Sequence, residues 1–184
     1  MKPKIEVVRQ YQTNPEAEAK GAIMMAWMNN LLATDTRAAL AKRGIDEIKP
    51  DKWYKFQIFL DAMRDIVDSS DNVTSKLVAI GKGVGTSLTL EDFPSVEAFR
   101  QFVESIHSAN VRNLKKPEGL VVYEEGGELF LMNNTPTSND IVYGFAWELL
   151  SKTRIEGQYY VLVPHRDYPS NEVGSVFKME PQDD

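Results

Sequence analysis

Apolar side chains in the first two thirds of the chain recur at steps of three and four residues. The first run begins at Lys20, and its spacing predicts a helix with one broad apolar face. The members of this face are Ile23, Met24, Trp27, Met28, Leu31 and Leu32. A second predicted helix follows, with Asp35 as its cap and Gly44 as its stop.

The third predicted helix is the most aromatic. It follows Ile48–Asp51, where Pro50 favours extended backbone. Because it is apolar over most of its circumference, we expect it in the centre of the core. Its apolar residues are Trp53, Phe56, Ile58, Phe59, Leu60, Met63, Ile66 and Val67. A fourth helix is predicted to open at Asp71 or Asn72, and a fifth to run from Pro94-Ser95 to about Leu114.

After Pro117 the pattern becomes that of strands. Gly119–Glu125 is rich in β-branched and aromatic residues, Gly126-Gly127 predicts a hairpin turn, and Glu128–Met132 predicts the second strand. A turn-rich segment at 133–140 precedes one amphipathic helix, and strands are predicted at Tyr159–Val163 and Val173–Met179. The prediction is therefore an α+β fold, in which a helical subdomain (20–116) packs on an antiparallel ββαββ sheet layer (117–180) behind an N-terminal arm (1–19).

Composition narrows the class of protein. The 184 residues favour one domain, and the 42% hydrophobic and 26% charged fractions are typical of a folded protein. The net charge of −6 argues against a nucleic-acid or anionic-membrane partner, since both need clustered positive charge. The chain has no cysteine, no apolar run of membrane-spanning length and no signal peptide, so a cytoplasmic protein is expected.

The glycines of Gly81–Ser87 (GKGVGTS) are the first candidate for chemistry. A phosphate site needs a glycine loop between a strand and a helix N terminus. Here the glycines follow a helical stretch, and neither the Walker nor the dinucleotide spacing is present. The interpretation is therefore structural: small residues allow two helices to approach closely, or the helix breaks there.

The two histidines and the aromatic residues are the other candidates. His165 is expected in a solvated loop, whereas His107 lies on the fifth predicted helix, where its ring can point into a cavity. Two histidines cannot form a His-only metal cluster, and no nucleophile–base–orienter set is recognisable, so neither a metal site nor an enzyme is predicted. Methionine and aromatic side chains of the first and third helices are able to line an apolar cavity or simply to form core.

Several short motifs resemble bacterial proteins of the superfamily that joins 4-vinyl reductase domains with H-NOX-like (haem–nitric-oxide-binding) domains. Ile48–Leu60 resembles its P-x-x-W-Y helix start, and Ile80-Gly81 resembles its Ile-Gly segment. Ile106–Asn113 resembles its Y-x-x-N-x-R stretch, with His107 where an aromatic residue is usual. Pro117–Gly119 and Asn133–Pro136 resemble the turns before the hairpin and before the last helix. The likeness covers about residues 20–165.

The resemblance implies a sensory or regulatory ligand-binding domain with a helical subdomain on an antiparallel sheet. Its TRAPP-type relatives are dimeric scaffolds that hold an acyl chain. In its haem-binding members the proximal histidine lies on the helix before the sheet, a place similar to that of His107. Their Y-x-S-x-R motif clamps the haem propionates, whereas the corresponding Asn134–Asp140 (NTPTSND) lacks both the tyrosine and the arginine.

Three hypotheses result. The main one is a non-enzymatic sensory domain that binds a small, largely apolar ligand between the two halves, acting through a homodimer or a signalling partner protein. The expected lining residues are Trp27, Trp53, Phe56, Phe59 and His107. The first alternative is a haem-based gas sensor with His107 as proximal ligand, and the second is a ligand-free homodimeric scaffold of TRAPP-like type.

Overall fold

A computed structural model describes residues 8–28, 33–69, 71–116, 118–165 and 175–182. Its helices are α1 (Gly21–Met28), α2 (Ala33–Ala41), α3 (Phe56–Asp68), α4 (Val73–Thr86), α5 (Val96–Asn110) and α6 (Asn139–Lys152). Its strands are β1 (Glu18–Lys20), β2 (Trp53–Lys55), β3 (Val111–Arg112), β4 (Gly119–Glu125), β5 (Glu128–Asn134), β6 (Tyr160–Pro164) and β7 (Val176–Pro181). The predicted α+β class is confirmed.

The larger sheet has four antiparallel strands in the order β4-β5-β7-β6. β4 and β5 form the predicted hairpin, in which Gly126 and Gly127 both have positive φ, a conformation that glycine adopts without steric cost. α6 connects β5 to β6, so the predicted ββαββ order is confirmed. Side chains from the helices and from this sheet share one continuous buried core.

A smaller sheet, in the order β2-β1-β3, corrects two helix boundaries. The prediction that Trp53 belongs to the third helix is wrong, because Trp53–Lys55 pairs with β1 and the helix begins at Phe56. The fifth helix ends at Asn110 and not near Leu114, because Val111 and Arg112 also pair with β1. In both places an aromatic or β-branched residue pairs with a strand that is distant in sequence, and local spacing does not reveal such a pairing.

β1 falls at the end of the segment interpreted as an arm. Ala17 and Ala19 are fully buried there, so Glu18–Lys20 lies in the structured part of the protein. The division into an arm (1–19) and one domain (20–180) stays a prediction. Leu31 and Leu32 of the first predicted apolar face lie outside the described residues.

α4 and α6 approach each other closely because both carry glycine at the contact. A Cβ atom on Gly81 would overlap the backbone oxygen of Ile141, and one on Gly144 would overlap the backbone oxygen of Val78. Gly85 faces the side chain of Glu148 in the same way. The structural interpretation of the glycines at 81–87 is therefore confirmed as close helix packing, and α4 continues unbroken to Thr86.

Ser95 begins α5, the helix that carries His107. Its hydroxyl accepts a hydrogen bond from the backbone N–H of Ala98 at 3.1 Å, which satisfies one of the free donors of the first turn. We expect Ser95→Ala to lower the free energy of unfolding by about 1 kcal/mol in urea denaturation. Ser108→Ala, at an exposed position within the same helix, is the control; an equal loss there would contradict a capping role.

Candidate functional site

One cavity of about 80 Å³, partly open to the surface, lies between the helical half and the sheet half. Its walls come from α1, α3, α4, α5 and α6, from β3 and β4, and from the turn between β5 and α6. Most of its lining is aliphatic or aromatic. The lining residues are Ile23, Trp27, Phe56, Val84, Ile106, His107, Asn110, Val111, Leu120, Thr135, Thr137, Ile141, Val142 and Phe145.

Three of the five expected lining residues meet at this cavity: Trp27, Phe56 and His107. The structure places the other two elsewhere. Trp53 lies on β2, where the Arg112 guanidinium stands 4.3 Å from the centre of its ring. Phe59 is 1% exposed and packs on Trp27 with 4.6 Å between ring centres. Trp53 therefore lies on a strand and not on the predicted helix. That these five residues contact a ligand stays a prediction.

The two threonines of the lining already have polar partners. The Thr135 hydroxyl donates to Asn133 Oδ1 at 2.7 Å and accepts from the backbone N–H of Thr137 at 3.2 Å. Asn133 also donates to the Thr137 carbonyl. Asn110 is likewise engaged, since its Nδ2 donates to the Ile106 carbonyl at 2.8 Å. These bonds hold the polar part of the lining in fixed positions.

His107 differs from these polar lining residues because one of its ring nitrogens lacks a partner within the described ranges. Its side chain is 9% exposed, and among the described residues its Nε2 atom has no hydrogen-bond partner. Burial lowers the pKa of His107 to about 4, because the charged imidazolium is poorly solvated there. The ring is therefore neutral at physiological pH, with a ring nitrogen available to a ligand.

Glu118 lies next to His107 and carries no sequence signal of its own. Its side chain is 6% exposed, and its Oε2 atom stands 3.9 Å from His107 Nε2, too far for a hydrogen bond. Its Oε1 atom accepts a weak bond from the Thr13 hydroxyl at 3.4 Å. Burial raises the pKa of Glu118 to about 7, and the bond from Thr13 opposes that rise only in part.

Among the described residues that line this cavity, only His107 suits a haem group. A buried, neutral histidine with a free ring nitrogen has the character of an axial ligand. However, pockets for ligands of drug size measure about 300–1,000 Å³, and the 80 Å³ cavity is far too small for a porphyrin. Asn134–Asp140 also offers no cation for the propionates. This cavity as it stands does not fit haem.

Comparison with known proteins finds no matching family model and no matching curated protein. Solved structures do match. An H-NOX protein from S. oneidensis, a triple mutant in the Fe(II) state, is 13% identical with a TM-score of 0.56, covering 90% of this chain and 97% of that one. The Fe(II)NO form of an S. oneidensis H-NOX protein is 12% identical (TM-score 0.55; 89% and 99% covered). The chain has an H-NOX-like fold.

The I5F variant of the T. tengcongensis H-NOX protein matches the same fold at 9% identity, with a TM-score of 0.52 and coverage of 89% and 95%. The H-NOX part of the resemblance is thus confirmed at the level of the fold, whereas the 4-vinyl reductase and TRAPP relations stay predictions.

Within the described ranges, no helix combines the length and apolar character needed to cross a bilayer. In that same part of the chain, no group of three histidine, aspartate or glutamate side chains is placed to hold a metal ion.

Proposed function

We propose that this protein is a non-enzymatic sensory domain that holds a small, largely apolar ligand in the cavity beside His107. The observation that carries the proposal is the cavity itself: a space of about 80 Å³ with a mostly apolar wall and, among the described residues that line it, one polar side-chain atom without a partner, His107 Nε2. An apolar protein cavity of about 150 Å³ binds benzene, so this one suits a smaller molecule. His107 Nε2 supplies a single polar contact that orients it.

Native mass spectrometry of the purified protein, set beside its denatured mass, tests the proposal. We expect extra non-covalent mass well below that of haem. Val84→Phe should remove that mass, because Val84 lines the cavity and the larger ring fills it; a thermal melt checks that the variant folds. A homodimer without bound mass would overturn the proposal in favour of the TRAPP-like scaffold.

Haem-based gas sensing is the second candidate, and the buried, unpartnered Nε2 of His107 is the observation that favours it. The fold comparison supports the same candidate, and the volume of the cavity opposes it. If this candidate is right, His107 is the residue that holds the iron, which would supply the binding of a diatomic gas. The cavity would first have to widen several-fold.

Haem reconstitution separates the two candidates. We expect the protein mixed with haemin to show no stoichiometric Soret band, because the cavity is too small. His107→Ala and His165→Ala form a matched pair, since the chain has only these two histidines. A one-to-one complex that is lost in His107→Ala and kept in His165→Ala would establish the haem sensor and refute the small-ligand proposal.

A further inference from the structure

A second pocket, of about 370 Å³, lies between residues of the N-terminal segment 8–14 and residues 115, 116 and 118. Arg9, Lys115 and Lys116 line it and are exposed, so three cations gather on the surface of a chain whose net charge is −6. Such a local excess of positive charge attracts anions. Among the described residues of the lining, Glu118 carries the one carboxyl group.

This cationic pocket and the apolar cavity are neighbours. His107 lines the cavity, Glu118 lines the cationic pocket, and 3.9 Å separates His107 Nε2 from Glu118 Oε2. The linings of the apolar space and the charged one thus come into contact at these two side chains, and we call this contact the partition. A molecule that spans the partition would have an apolar end and a polar end.

Buried polar atoms without a hydrogen-bond partner occur in the linings of both spaces. In the part of the chain that the structure describes, three buried side-chain atoms have no hydrogen-bond partner: Asn14 Nδ2, His107 Nε2 and Glu118 Oε2. Asn14 and Glu118 line the cationic pocket, and His107 stands at the partition. Buried polar groups are normally paired, so three such atoms in the linings of these two neighbouring spaces indicate that a polar group binds there.

We infer that the two spaces hold one ligand, a short-chain carboxylic acid whose alkyl chain fills the apolar cavity and whose carboxylate faces the cationic pocket. This inference rests on the proposed function and names the ligand class. The cavity has about half the volume of one that holds the six carbons of benzene. An alkyl chain of roughly three or four carbons is therefore the best fit.

The carboxylate would find donors on the polar side. The Asn14 amide donates one hydrogen bond, and Arg9, Lys115 and Lys116 supply positive charge at the rim. A protonated Glu118 is a further donor, whereas an ionised Glu118 repels the anion. The Thr13 hydroxyl donates to Glu118 and the His107 ring lies beside it, whereas Arg9, Lys115 and Lys116 line the same pocket as Glu118. Binding of the acid should therefore favour protonated Glu118.

Calorimetric titration of the full chain with butyrate, butyramide and 1-butanol tests the inference. We expect butyrate to bind at least tenfold more tightly than either neutral analogue at low salt. Lys115→Gln/Lys116→Gln should weaken butyrate binding severalfold and leave butyramide unchanged. Lys152→Gln is the control, because Lys152 pairs with Glu148 on α6 and lines neither space.

The pH dependence gives a second readout. Glu118 has a pKa of about 7, so butyrate affinity should fall about tenfold between pH 6 and pH 8, and Glu118→Gln should abolish that fall. Equal binding of butyrate and butyramide would overturn the carboxylate assignment and leave the apolar cavity as the site. No binding of any four-carbon probe would overturn the inference, whereas the proposed function would still be decided by native mass spectrometry.

Discussion

Gly81→Ala is expected to lower the free energy of unfolding by about 2–3 kcal/mol, even though alanine favours a helix over glycine by about 1 kcal/mol. The added Cβ would overlap the Ile141 carbonyl and come within 2.6 Å of the Phe145 backbone nitrogen. Backbone atoms cannot rotate aside as a flexible side chain does. The two helices must therefore separate, and the contacts along their shared face weaken.

Urea denaturation of the full chain measures this loss. Gly119→Ala is the matched control, because nothing lies within 4 Å of a Cβ added at Gly119. Gly144→Ala should repeat the loss from the other helix, since its Cβ would overlap the Val78 carbonyl. Equal stabilities for Gly81→Ala and Gly119→Ala would show that α4 and α6 are not packed as closely as described.

The second large effect concerns the free energy of unfolding, which should depend on pH through the two side chains of the partition, His107 and Glu118. Burial lowers the pKa of His107 to about 4 from 6.5, so the folded state loses stability as the pH falls from 6.5 towards 4. Burial raises the pKa of Glu118 to about 7 from 4.5, so the folded state loses stability as the pH rises from 4.5 through 7. Between pH 4.5 and 6.5 the two contributions have opposite slopes and largely cancel.

Single variants should show separately how each of the two groups makes the free energy of unfolding depend on pH. In Glu118→Gln only the histidine remains, and the free energy of unfolding should fall by about 1.4 kcal/mol per pH unit on acidification below 6.5, a total of about 3 kcal/mol. In His107→Gln only the carboxyl remains, and a loss of similar size should accompany rising pH from 4.5 to 7.

Urea denaturation at half-unit pH steps checks both slopes. The double variant His107→Gln/Glu118→Gln provides the background of all other titrating groups and is subtracted from each single variant. Parallel pH profiles for the two single variants would contradict the opposite pKa shifts of the pair.

Local sequence signals account for the larger sheet and for most of the helices. The hairpin follows from Gly126-Gly127 between two apolar runs, and α6 follows from one amphipathic run after a turn cluster. Trp53 was misplaced because an aromatic residue at helical spacing also suits a strand, and only pairing with β1 decides between the two. β3 has two residues and depends entirely on the same partner.

The site was predictable only in part. Trp27, Phe56 and His107 lie on apolar faces that point to the core, and the structure brings them together at the cavity. Phe59 belongs to a helix that is apolar around most of its circumference, so spacing alone cannot say which of its faces meets the cavity. Glu118 gives no local signal, since its burial depends on Thr13 and His107, which are remote in sequence.

The smaller sheet makes β1 indispensable to two strands that share no backbone pairing with each other. β2 and β3 pair only through β1, which stands between them, and Arg112 Nε donates to Glu18 Oε2 at 2.8 Å across 94 positions of sequence. Removal of residues 8–20 would leave both strands with unpaired backbone donors and acceptors. Open strand edges recruit other chains, so a truncated protein would tend to self-associate into aggregates, and shortened forms for crystallisation should retain this segment.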